Sequence, residues 1–299
     1  MNSITWIFIC LMGLCWGSFL NVLIVRTLSG ESIVSPPSKC PKCEHQLYWW
    51  HNIPIVSFML LQGKCYFCNK SISIRYPIVE CLGLVIFIFA FLINVSFFDA
   101  VAVIFMLSMF LVLSFTDVKE QKISSLQALL IIPAGLVFNR YDIFNSLTGA
   151  MVGAILPLLF IYIGKKFFNK TTFGAGDVYM LSALGSVVGG DKLFLFLIYA
   201  LLIQFVLILP NYVVNLIRLN KIETLKYLII FIITCLFLYV SRNISFMGSN
   251  VVIVCFFFTM LYFAYKLIKD MVLLLKTDET PAKCPLAPAL FISCLLFLC

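Results

Sequence analysis

Few side chains in this chain could carry chemistry, and they fall into two groups. Asp117 closes the apolar run LVLSFTDVKEQKI (111–123), and Asp177 opens another in FGAGDVYMLSALG (173–185). The second group is four cysteines, in CPKC (40–43) and CYFC (65–68). Two carboxylates that share one proton can split a peptide bond: the ionised one takes a proton from water and the protonated one polarises the carbonyl. Two C-x2-C knuckles fit a four-thiolate tetrahedral zinc site, with free or disulfide-bonded cysteines as the alternative.

Competing chemistries lack their parts. His45 and His51 are the two histidines of the chain, and both lie between the knuckles, so no Ser–His–Asp set can form near either aspartate. Neither a P-loop nor an H-E-x-x-H motif is present. As metal ligands the two histidines are possible but unneeded. The remaining eight cysteines (10, 15, 81, 235, 255, 284, 294, 299) lie in or beside apolar runs, where they read as packing residues.

The elements that must position these groups are membrane helices. The chain has 299 residues, is 63% hydrophobic and only 11% charged, and has a mean hydropathy of +1.08. A water-soluble domain of this size would carry far more charge. Apolar segments are expected near 3–25, 76–96, 99–116, 126–138, 144–163, 177–190, 193–213, 227–240, 250–268 and 286–299. The fold class is therefore an all-α polytopic membrane protein, a bundle of about 8–10 transmembrane helices with a zinc-ribbon-like loop. The expected divisions are a first transmembrane helix (1–26), a four-cysteine metal-binding loop (27–75), a catalytic transmembrane region (76–210) and a C-terminal transmembrane region (211–299).

Charge sets the orientation. With the N-terminus outside, all but three of the 21 Lys and Arg fall inside; the exceptions are Arg140, Lys192 and Arg242. The net charge of +8 is then an orientation signal and not a nucleic-acid patch. The leading segment lacks a basic start and reads as a span, not a cleavable signal peptide. The metal loop faces the cytoplasm, where disulfides are disfavoured. A loop of this length also needs a staple to fold.

On the same count, Asp117 and Asp177 reach the same depth on that cytoplasmic side. A carboxylate at membrane depth suggests function; the alternative is two solvated juxtamembrane residues paired with lysines such as Lys119. Gly174 and Gly176 before Asp177 suggest close backbone approach. The Gly149/Gly153 and Gly185/Gly189 pairs read as packing faces. Helix ends suggest Asp177 as the ionised base and Asp117 as the acid, since an N-terminus favours an anion and a C-terminus disfavours it.

These residues resemble the bacterial type IV prepilin peptidases, membrane aspartic proteases with a G-x-G-D motif. The resemblance runs through GSFLNVLIVR (17–26), CPKC, NIPIVSF (52–58), GKCYFC (63–68), ISIRYPIVE (72–80), Asp117 and GAGDVYMLSALG (174–185), with PLAPALF (285–291) similar to the family's closing segment. His51 stands where the family usually has Asp, and Ile123-Ser124-Ser125 where it has a Leu/Ile-Pro-Asp turn. The resemblance implies that Asp117 and Asp177 are the catalytic pair. It implies removal of the basic leader of prepilins or pseudopilins at the cytoplasmic face of the bacterial inner membrane, beside pilus or type II secretion machinery. It also implies N-methylation of the new N-terminus with S-adenosylmethionine, in which Gly63 and Lys64 match positions linked to that step. Two other classes remain open on the residues alone. One is a proton- or cation-coupled transporter using the carboxylate pair; the other is an inactive zinc-ribbon scaffold. No nucleic-acid partner is expected.

Overall fold

The computed structural model describes residues 2–35, 37–93, 96–121, 123–168, 174–218, 223–230, 232, 262, 266 and 286–298. The chain forms two compact units, Met1–Gln204 with Pro285–Cys299, and Phe205–Cys284. In the second unit residues 223–230 are helical, with a Lys226–Glu223 ion pair one turn apart at 3.9 Å. The expected segments 227–240 and 250–268 fall largely outside the described residues.

The described secondary structure is helical. Its elements are α1 (Ser3–Ser29), α2 (Val56–Leu60), α3 (Arg75–Leu92), α4 (Phe97–Glu120), α5 (Ser125–Phe138), α6 (Ile143–Phe168), α7 (Ala175–Val188), α8 (Gly190–Arg218) and α9 (Ala287–Leu298). A 3-10 turn covers Trp49–Asn52. Among the described residues five helices are long and apolar enough to cross a membrane, namely α1, α3, α4, α6 and α8; α5, α7 and α9 are shorter apolar helices. The sequence segments thus reappear as helices, and among the described residues eight of them match the expected bundle.

Lipid tails are as apolar as leucine, so helix association in a bilayer rests on close packing more than on the hydrophobic effect. Glycine provides that packing here. A methyl at Gly17 would sit 2.6 Å from the Glu80 Cα, which fixes the crossing of α1 and α3. A methyl at Gly149 would overlap the Gly185 carbonyl, and one at Gly153 the Leu181 carbonyl, so α6 lies backbone to backbone on α7. The packing reading of those glycine pairs holds.

α4 is the central helix. Of its most apolar stretch, 72% is buried, against 22–39% for the other four long helices. It packs on α1, α3, α5 and α9, and Phe110, Met106 and Leu107 sit at its centre with no exposure. Trp16 of α1 donates to the Ser108 hydroxyl at 2.7 Å, which fixes α1 against α4. The far end of α4 is polar: Asp99 in its first turn is ion-paired with Arg140, and the nearby α6–α8 junction pairs Asn145 with Asp191 at 2.7 Å.

Candidate active site and metal loop

Asp117 lies in the last turn of α4, where its own carbonyl accepts the Gln121 N–H that closes the helix. Its side chain is 5% exposed. The carboxylate Oδ2 accepts the Ala287 N–H of α9 at 2.9 Å, 170 residues away in sequence. Ser114, one turn earlier, donates to the Ala287 carbonyl at 3.1 Å as well as to the Phe110 carbonyl at 2.7 Å. The first turn of α9 is therefore gripped from both sides by one face of α4.

Asp177 is the third residue of α7, and its Oδ2 accepts the Gly174 N–H at 2.9 Å. This is half of a capping box, in which an acidic side chain ties down the free N–H groups of a helix start. The loop after α4 meets the start of α7 at Gly176: a methyl there would lie 2.6 Å from the Ile123 Cβ. Gly174, by contrast, has an ordinary backbone (φ −80°), and a methyl there would meet only the Asp177 Oδ2, at 3.6 Å. Of the two glycines, Gly176 is the one that close approach requires. α5 bridges the two acids, packing on both α4 and α7. The result is that Asp117 and Asp177 sit at the same end of the bundle, one at the end of α4 and one at the start of α7.

The α9 contact was not legible in sequence as a contact with Asp117. Its signals were Pro288, at the second position of an apolar run where helices begin, and Ser114 one turn before Asp117. It also changes the helix-end argument. Asp117 stands at the C-terminus of α4 and at the N-terminus of α9, so helix dipoles no longer separate the roles of the two acids.

The four-cysteine loop is built from two copies of one turn. Lys39 pairs with Gln46 and Lys64 with Ser71 in isolated antiparallel bridges. In each knuckle the first cysteine N–H bonds back to a carbonyl five residues on, His45 or Lys70, at 3.0 and 2.9 Å. Glu44 and Asn69 occupy equivalent left-handed positions, φ 58° and 54°. The Sγ atoms of Cys40, Cys43, Cys65 and Cys68 all lie within 4.8 Å of one another. Zn–S bonds of about 2.3 Å in a tetrahedron require sulfurs about 3.8 Å apart, so the four thiols fit a structural zinc ion. Backbone N–H groups of Cys68 and Phe67 hold the Cys65 thiol down at about 7, against the opposing effect of desolvation. Neither histidine belongs to the cluster. His45 stacks on Phe67 at 4.0 Å, and His51 accepts the Tyr48 N–H at 3.2 Å inside a ring of Tyr48, Trp50, Tyr66 and Phe67. Burial there lowers the His51 pKa below its usual value.

Gly63 takes a left-handed backbone, φ 67°, and lies against the Phe58 ring. Lys64 lines a cavity of about 390 Å³ with Leu60, Gln62, Tyr66 and Asn69. The lining thus offers one cation, one aromatic ring and two amides, beside Leu61 and the Cys65 thiol. Gly63 shapes the turn beside this cavity without lining it.

The loop is fastened to the bundle by Glu80. This buried carboxylate on α3 accepts the Ile55 N–H at 2.8 Å and meets Ser18 of α1. Ile55 has φ 60°, a costly conformation for a β-branched residue, so the attachment holds strained backbone in place.

Comparison with known proteins agrees with this arrangement. Residues 11–94 match the bacterial peptidase A24 N-terminal domain, and residues 104–209 match the type IV leader peptidase family. A prepilin leader peptidase/N-methyltransferase of Klebsiella pneumoniae is 32% identical over 196 residues, 62% of this chain and 86% of that protein. Its counterpart in Neisseria gonorrhoeae is 35% identical over 208 residues, 60% of this chain and 72% of that protein. The Myxococcus xanthus counterpart is 35% identical over 199 residues, covering 65% of this chain but only 59% of the relative's length. No solved structure matches. The two matched regions together contain the four cysteines and both aspartates, and the chain belongs to the type IV leader peptidase family.

Proposed function

We propose that the protein is a membrane aspartic endopeptidase that removes the short basic leader of type IV prepilins or pseudopilins. The placement of Asp117 and Asp177 at one end of the bundle, with Gly176 against Ile123 and α5 packed on both helices, carries this reading. The ionised carboxylate takes a proton from water as the water oxygen attacks the scissile carbonyl carbon. The protonated carboxylate gives its proton to the carbonyl oxygen, forming a neutral tetrahedral diol. Collapse of the diol breaks the C–N bond, and a carboxyl proton passes to the departing amine nitrogen. The substrate is an apolar helix held among the spans, with its basic leader on the side where the chain's own lysines concentrate. By the positive-inside rule that side is the cytoplasm, and the membrane is the bacterial inner membrane. Pilus or secretion machinery is the expected surrounding.

The same protein would then methylate the new N-terminus. S-adenosylmethionine supplies the methyl group when bound. Lys64 is the cation suited to its carboxylate and the Tyr66 ring suits its sulfonium. Cys40, Cys43, Cys65 and Cys68 would hold a zinc ion that keeps both knuckles folded.

The test is intact-mass analysis of a prepilin incubated with membranes containing the protein, with and without S-adenosylmethionine. Leader loss establishes the peptidase, and one further methyl mass that depends on the donor establishes the transferase. An untouched prepilin would instead favour the transporter or scaffold alternatives. Gly63→Ala forces a side chain into a left-handed backbone beside Phe58, at a cost of roughly 1 kcal/mol or more. It is expected to lower methylation several-fold while leader removal stays close to wild type. Equal loss of both products would place Gly63 in general folding.

Ala287→Pro tests the grip on Asp117. Proline suits the backbone of a first helical position, so the change deletes the N–H donor, with an added packing cost from its ring because Ala287 is fully buried. A hydrogen bond to a charged group contributes about 1.5–3 kcal/mol, so cleavage is expected to fall at least about tenfold with KM nearly unchanged. A rise in KM alone would assign α9 to substrate binding.

A further inference from the structure

The face of α2 is apolar, and its residues lie where a soluble loop should not place them. Val56, Met59 and Leu60, spaced i, i+3, i+4, share one side of the helix and are 48%, 71% and 78% exposed. The 3-10 turn that packs against α2 adds Trp49, 80% exposed. The opposite side of α2 is engaged, since Phe58 rests on Gly63.

Depth decides what covers the exposed side. Ile55, immediately before α2, is bonded to Glu80, five residues into α3. At 1.5 Å per residue the Glu80 Cα is about 7.5 Å below the start of the helix, and its side chain leans back toward that start, so Ile55 is held alongside the first turns of α3. Gly17, whose backbone lies against the Glu80 Cα, is twelve residues before the end of α1, about 18 Å below its tip. α3 has only 18 residues, about 27 Å, slightly less than the ~30 Å hydrocarbon core. Its first turn is therefore already at the hydrocarbon boundary, and the Ile55–Glu80 bond holds the loop beside that turn. The residues 27–75 carry five basic side chains (Lys39, Lys42, Lys64, Lys70, Arg75) against Glu31 and Glu44, a charge suited to anionic headgroups.

We propose that α2 is a lipid anchor: Val56, Met59 and Leu60 insert at the headgroup–acyl boundary and hold the four-cysteine loop against the bilayer surface. Interfacial amphipathic helices bury their apolar side about 5–10 Å into that layer, and the Ile55–Glu80 bond holds the start of α2 beside it. The inference stands on the loop's geometry and is independent of the activity proposed above.

The test places a photoreactive benzophenone amino acid at Met59 in the full chain, reconstituted in vesicles of phosphatidylethanolamine and phosphatidylglycerol. A prepilin is included in a parallel sample. Reference probes go at Leu201, exposed on the membrane helix α8, and at Glu44, polar and exposed in the first knuckle. After irradiation, mass spectrometry is expected to find phospholipid adducts at Met59 at a yield close to that at Leu201 and several-fold above that at Glu44. A yield no higher than at Glu44, crosslinking to the prepilin in place of lipid, or crosslinked pairs of this chain would each overturn the proposal. A second probe at Val56, on the same face, carries the same expectation if the first position fails to fold.

Discussion

Asp117→Asn and Asp177→Asn are each expected to abolish leader removal, by roughly a thousandfold or more, while the protein still inserts and folds. The two carboxylates act as one unit, so either loss should cost about as much as both together. Folding should survive for reasons visible in the site. Asparagine keeps an oxygen for the Ala287 N–H at Asp117 and for the Gly174 N–H at Asp177. The check is cleavage of a prepilin in membranes at matched protein levels, with the double variant alongside. If each single variant lost only a modest factor and the double variant lost their product, the acids would act independently and the shared-proton mechanism would fail. If all three trimmed like wild type, the pair would not be catalytic.

The parts of this site visible in sequence were those encoded by local composition. Apolar runs located the helices because the bilayer tolerates little else at that depth. The C-x2-C pairs located the knuckles because zinc geometry restricts ligand spacing. Both aspartates stood out because a carboxylate beside an apolar run is costly. The contacts that position those acids were not visible, because they join distant segments through backbone groups that every residue has. The Ala287 N–H reaches Asp117 across 170 residues, and any residue but proline could donate it. Nothing in the sequence marks Ile55 as the partner of Glu80, because that contact too is made to a backbone N–H. The glycines were a mixed case. Gly149, Gly153 and Gly185 were recognisable as a packing face from their spacing alone. Gly174 and Gly176 looked alike in sequence, yet only one of them touches a neighbouring segment.

That difference yields the second large prediction. Gly176→Ala should reduce leader removal by about a hundredfold, whereas Gly174→Ala should stay within a few-fold of wild type. A methyl at 176 would lie 2.6 Å from the Ile123 Cβ, an atom fixed to backbone, so the strain cannot be relieved by rotating a side chain. Either the start of α7 or the loop after α4 must move, and each carries one acid: Asp177 is the next residue, and Asp117 lies six residues before Ile123. Displacement of a reacting group by about 1 Å can cost on the order of a hundredfold in rate. A methyl at 174 meets only the Asp177 carboxylate, at 3.6 Å, and its backbone suits any residue. The Gly174 N–H that Asp177 accepts is retained in both variants. Combining Gly176→Ala with Ile123→Gly removes the colliding carbon and should recover much of the lost activity. Recovery would establish that the spacing between these two segments sets the distance between the acids. Failure to recover, or a loss as large at 174 as at 176, would mean that Gly176 serves backbone flexibility and not contact.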